Sequence, residues 1–88
     1  MSERFFLYDD TEDTRTRFVS FVGENQRFDL ALIKSNRHYG KQLVLNMQSN
    51  RFAIIGHDDL KEEGYLEYAF GLNEADAAEL RSFLEEVI

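Results

Sequence analysis

The sequence contains no cysteine. Disulfides, thiolate nucleophiles and Cys-based zinc or iron–sulfur sites are therefore excluded. Small secreted domains often rely on such staples, so the absence points to a cytoplasmic home. Proline is absent too, which removes slow prolyl isomerisation from folding. The five glycines, Gly23, Gly40, Gly56, Gly64 and Gly71, are single and scattered. No Gly-rich phosphate loop can be built from them. No segment approaches the ~18 consecutive apolar residues of a membrane span. The opening Met-Ser-Glu-Arg leads into no long apolar run, so no signal peptide is expected. Positive charge is scarce: 10 Lys and Arg against 17 Asp and Glu leave a net charge of −7. That disfavours nonspecific nucleic-acid binding, which depends on neutralising phosphates.

What is present suits one thin core. Eighty-eight residues make a single domain, residues 1–88, and 43% of them are hydrophobic, with eight Phe and four Tyr. A domain of this size buries only about 60–65% of its unfolded surface.

The clearest element is at the C-terminal end. From Leu72 to Ile88 the apolar positions Ala77, Leu80, Phe83, Leu84, Val87 and Ile88 recur at helical spacing. They cover an arc of roughly 140°. Asn73 is a favoured N-cap. Asp76 stands three residues later, where a capping-box carboxylate would reach back. Leu72 and Ala77 are placed for a small hydrophobic staple. Glu74, Asp76 and Glu79 suit the positive end of the helix dipole, whereas Glu85 and Glu86 oppose its negative end. Something other than helix charge must therefore hold the last turn.

The preceding residues read as strands. Arg4–Tyr8 (RFFLY), Arg15–Val22, Arg27–Ile33, Gln42–Met47, Arg51–Ile55 and Tyr65–Phe70 are short, aromatic or β-branched, and several alternate. Turn residues separate them: an acidic run at 9–13, Gly23-Glu24-Asn25-Gln26, the loop 34–40, and Gln48-Ser49-Asn50. Residues 56–64 suggest one helical turn, with Asp58 as a candidate cap and Gly64 as a left-handed stop. Short connections favour antiparallel neighbours. The expected fold class is α+β: an antiparallel sheet of five or six short strands, packed against one C-terminal amphipathic helix. Alternation puts Phe28, Leu30, Leu32, Leu43, Leu45, Met47, Phe52 and Ile54 on the face the helix would cover. Val19, Val44, Ala53, Ile55, Tyr65 and Ala69 then fall on the other face. One helix about 10 Å wide cannot cover a sheet roughly 20 Å across. Either the sheet curls around the helix or a second subunit covers the remainder, so a homodimer is expected.

Charge is unevenly spread. Residues 14–51 carry seven basic and two acidic residues, a net of +5, and the remainder carries three basic and fifteen acidic residues, a net of −12. Arg15 and Arg17 share one strand face. With Arg37, His38, Tyr39 and Lys41 in the following loop, they form a candidate binding surface for anions, since the Arg fork suits phosphate. Solvated strand faces and edge charges that block aggregation would give the same pattern. No catalytic constellation stands out. His38 and His57 have no positioned partner legible in the sequence, and a base needs one. The five serines occupy no nucleophile elbow. His57, Asp58 and Asp59 are adjacent, and adjacent residues rarely present three ligands to one ion. No metal or cofactor is therefore expected, and an enzyme is the less favoured reading.

The opening Met1–Asp10, the block Arg17–Ala31, and the stretch from Gly40 through Arg51–Gly56 resemble a family of small uncharacterised proteins from low-GC Gram-positive bacteria. The resemblance spans essentially the full length. It implies a cytoplasmic single-domain protein and supplies no catalytic residues. Two functions remain open. The first is a noncatalytic binding or regulatory module acting through protein–protein contacts. The second is a binder of small anions, nucleotides or RNA on the basic central strands and loop.

Overall fold

Runs of β-branched and aromatic residues broken by short turns build the middle of the chain into a sheet. The computed structural model describes residues 3–88, so Met1 and Ser2 of the opening segment lie outside it. Strands β1 (Arg15–Val22), β2 (Arg27–Lys34), β3 (Gln42–Asn46) and β4 (Arg51–Ile55) pair antiparallel in the order β1-β2-β3-β4. The β3–β4 hairpin turns through Asn50, which takes a positive φ of 59°. Asn tolerates that conformation better than most residues. Three helices follow: α1 (His57–Lys61), α2 (Tyr65–Phe70) and α3 (Glu74–Val87). They lie on one face of the sheet and enclose a core of Phe28, Leu30, Leu32, Val44, Ile55, Leu60, Leu66, Phe70, Ala77, Leu80 and Leu84.

Helix α3 matches its sequence signals. Ala77, Leu80 and Leu84 are buried, and Phe83, Val87 and Ile88 pack against them. The Asn73 side chain accepts from the Asp76 N–H at 2.8 Å. The Asp76 carboxylate does not reach back to the cap; it accepts from Gln26 Nε2 at 2.6 Å. The Glu79 carboxylate takes the Glu24 N–H at 2.9 and 3.0 Å through its two oxygens. The acidic start of α3 thus clamps the β1–β2 turn rather than closing a capping box. At this end Phe21 lies with its ring centroid 5.0 Å from both Phe28 and Phe83.

Two expected strands are absent. Tyr65–Phe70 is helix α2, not a strand. Leu66 and Phe70 are both buried while Tyr68 is exposed. The working spacing is therefore i to i+4, not i to i+2. Gly64 (φ 81°) and Gly71 (φ 65°) bracket the helix in the left-handed conformation. A six-residue apolar run fits either period, and the flanking glycines decide it. Arg4–Tyr8 forms no strand; Phe5, Phe6, Leu7 and Tyr8 are all exposed. The molecule measures 50 × 29 × 24 Å. Its radius of gyration is 15.1 Å, against about 12 Å for a compact chain of this length. The sheet thus has four strands and three helices accompany it, where five or six strands and one helix were expected.

The expected facing of β3 and β4 is also reversed. Register pairs Leu32 with Val44 and Val44 with Ala53. Directly paired residues share a face, so the helix side holds Val44, Ala53 and Ile55. Leu43, Leu45, Phe52 and Ile54 fall on the other side. Val19, opposite Leu30, is on the helix side as well. Alternation fixes which residues of one strand go together but not which set faces the core after a loop, and a slip of one residue exchanges the faces.

Cap chemistry orders α1. Its N-cap is Gly56, not Asp58, and the Asp59 carboxylate accepts from the Gly56 N–H at 2.8 Å. Arg81 of α3 donates to the Leu60 carbonyl at 3.0 Å and lies 3.7 Å from the Glu67 carboxylate, tying the three helices together.

Candidate binding surfaces

Two surfaces stand out, and the fold builds each from strand parity. The first is the sheet face that carries no helix. Reading across the register, Phe18, Ala31, Leu45 and Phe52 form one row, and Thr16, Ile33, Leu43 and Ile54 form the next. Phe18 is 72% exposed and Phe52 66%. The rows end at a polar group in which Arg27 donates to Asp29 at 3.1 Å and to Ser20 at 3.2 Å. The Ser20 hydroxyl and the Arg27 guanidinium hold the Asp29 carboxyl below the usual carboxylate range. An apolar centre beside a polar border is the arrangement of a contact surface.

The second surface lies on the helix side, where the end of α3 meets the β1 edge. A cleft of about 190 Å³ is lined by Arg15, Arg17, Leu32, Lys34, Gln42 and Val87, among others. Arg15 sits directly opposite Lys34, and Arg17 opposite Leu32. Buried Gln42 donates through Nε2 to the Val87 carbonyl at 3.1 Å. That bond answers how the last turn of α3 is held despite Glu85 and Glu86. A neighbouring cleft shares Lys34, Gln42 and Val87 and adds His38, Lys41 and His57.

The basic residues singled out in the sequence therefore separate. Arg15 and Arg17 share the first cleft, and His38 and Lys41 line the second. Lys41 is already paired: its ammonium is 3.1 Å from the Asp59 carboxylate, which raises the Lys41 pKa. The Gly56 N–H first, and Lys41 second, lower that of Asp59. Arg37 leaves the group altogether. Its guanidinium lies 4.5 Å from the Tyr8 ring centroid and 3.7 Å from Asp10, so it tethers the N-terminal arm. The arm is held again where the Ser35 hydroxyl donates to Glu12. Tyr39 is 97% exposed and joins neither cleft. The chain's pattern missed Lys34 and Gln42, and weighed His57 only as a base or metal ligand and not as part of this cleft. Lys34 was reachable, since it continues the Leu30–Leu32 row by two residues. Gln42 and His57 were not, because their places depend on how the helices dock.

Among the described residues, no three His, Asp or Glu side chains gather closely enough to hold a metal ion. No helix is long and apolar enough to cross a membrane. A search among curated proteins finds no match to this sequence. The arrangement of hairpin sheet, three helices and basic edge is carried by the segment that a family model recognises: residues 7–86 match the SAV0927-like family, and the chain belongs to it.

Proposed function

We propose that this protein is a noncatalytic binding module of the bacterial cytoplasm, that it acts through protein–protein contacts on the open sheet face, and that a second copy of the chain is its first partner. The observation that carries the reading is the pair of apolar rows, Phe18–Ala31–Leu45–Phe52 and Thr16–Ile33–Leu43–Ile54, left without a helix. A stable interface buries about 800 Å² per partner. Exposed aromatic and aliphatic side chains contribute on the order of 100–200 Å² each. Phe18, Phe52 and Ile54, with Phe5, Phe6, Leu7 and Tyr8 of the arm, supply that area between them. Beyond its tether at Tyr8, the arm's first described residues, 3–7, reach roughly 17 Å in extended form, enough to touch a second protomer. β1 also sits at the sheet edge with one side of its backbone unpaired by any strand of the sheet.

The test is light scattering at tens of micromolar. The wild-type chain is expected at twice its 10.3 kDa mass. Phe52→Lys is expected at the monomer mass with an unchanged far-ultraviolet circular dichroism spectrum, because position 52 is outside the core. A wild-type chain that stays monomeric across that range would retire the self-pairing reading.

A further inference from the structure

We propose that the cleft between the β1–β2 strand ends and the last turn of α3 is a binding site for a small phosphate-bearing anion, held by Arg15, Arg17 and Lys34. The proposal is independent of the sheet face opposite. It begins from a cost in the fold. Arg15 and Lys34 face each other across the β1–β2 ladder, and Arg17 is the next residue on the same face. Like charges set directly opposite destabilise a sheet. In a chain of net charge −7, carboxylates to neutralise them are plentiful. Yet among the described residues none of the three cations lies within ion-pair distance of a carboxylate.

Two negative features adjoin the cleft: the C-terminal end of α3, which has no basic residue in its last turn, and Asp13, which lines a neighbouring hollow with Arg15 and Lys34. Three cations exceed what the two together need. A helix end carries only about half an elementary charge, and the Val87 carbonyl is already taken by Gln42. Glu85 and Glu86 are exposed and pair with none of the three. More than one positive charge therefore remains facing a cleft with apolar surface from Leu32 and Val87.

That excess sets the ligand class. A phosphate or phosphate monoester carries about −1.5 to −2 at neutral pH. It balances the site where a monocarboxylate would not. Two guanidinium forks can each donate bidentately to its oxygens. A volume of about 190 Å³ accommodates one phosphate group and a short organic stem. A long polymer gains little from it, because the acidic remainder of the chain repels further phosphates.

Amide chemical-shift titration of the full chain tests this, with inorganic phosphate, glycerol phosphate and acetate at matched ionic strength. Saturable shifts confined to residues 15–17, 32–34, 42 and 87 are expected with both phosphates and not with acetate. Tighter binding of glycerol phosphate would identify an organic monoester, and equal binding the free ion. Arg15→Gln, Arg17→Gln and Lys34→Gln should each weaken binding about tenfold or more. Removing a repelling charge leaves these variants folded, which their own spectra report. Lys61→Gln, on α1, should bind as wild type. Shifts that merely follow ionic strength, wild-type affinity in the Arg15→Gln/Arg17→Gln double variant, or binding of a short RNA without any response to phosphate would each overturn the proposal.

Discussion

On the helix side of the sheet, Leu30, Leu32, Val44 and Ile55 are sealed beneath α1, α2 and α3. On the opposite side, Ala31, Ile33, Leu43, Leu45, Phe52 and Ile54 have no helix over them. The two sets have similar side chains and similar alternation. What separates them is the partner. Three helices on one side enclose eleven core residues, and no described α-helix remains for the other side. Hydrophobic burial is nondirectional, so composition does not choose the covered face. Register and helix docking do.

Substitutions can break this contrast in order of expected size. The largest effect belongs to the sealed side. Leu80→Ala removes a fully buried side chain and should cost about 2–5 kcal/mol in thermal or urea unfolding. Phe52→Ala, on the open side, should cost about 1 kcal/mol or less. Equal losses at the two positions would mean that the open face is part of the folding core. Next comes the cap that starts α3. Asn73→Ala loses the bond to the Asp76 N–H and should destabilise by about 1 kcal/mol in the same experiment. Hydrogen exchange should speed up first in residues 74–77.

The smallest effect depends on pH. Asp59 has a folded pKa below its usual value, through the Gly56 N–H and then Lys41. Its contribution is present above the unfolded pKa of about 3.9. It is lost as pH falls through the lower folded value, because the unfolded chain then binds the proton more readily. Lys41 has the opposite sign. Its folded pKa is raised, so that contribution is full below about 10.5 and fades as pH rises through the folded value. Asp59→Asn should flatten the acid arm of the stability profile below about pH 4. An unchanged acid arm would show that α1 is held by Leu60 rather than by its cap.

Much of this was legible in the chain. The α3 stripe and its Asn73 cap, strands β1 to β4 and the β3–β4 hairpin follow from local periodicity and turn chemistry, which involve neighbours a few residues apart. Tyr65–Phe70 failed because six residues are too few to separate a period of 2 from one of 3.6. The Leu66–Phe70 spacing and the two bracketing glycines were the available signal. Arg4–Tyr8 failed for another reason. A strand needs a partner, and propensity alone does not provide one. The candidate cleft was half visible: Arg15 and Arg17 fell on one face by parity. Arg37 and Tyr39 were misplaced because a loop has no periodicity to orient its side chains.

By itself, the order of residues determined an acidic, cysteine-free α+β chain with a capped terminal helix and antiparallel hairpins. Each of those features arises from interactions along a few consecutive residues. Tertiary structure alone decided which side of the sheet was sealed, that Gln42 caps α3, and that Lys34 joins Arg15 and Arg17. The Arg15–Lys34 pairing spans 19 positions and the Gln42–Val87 bond 45, separations at which no local pattern specifies which surfaces meet.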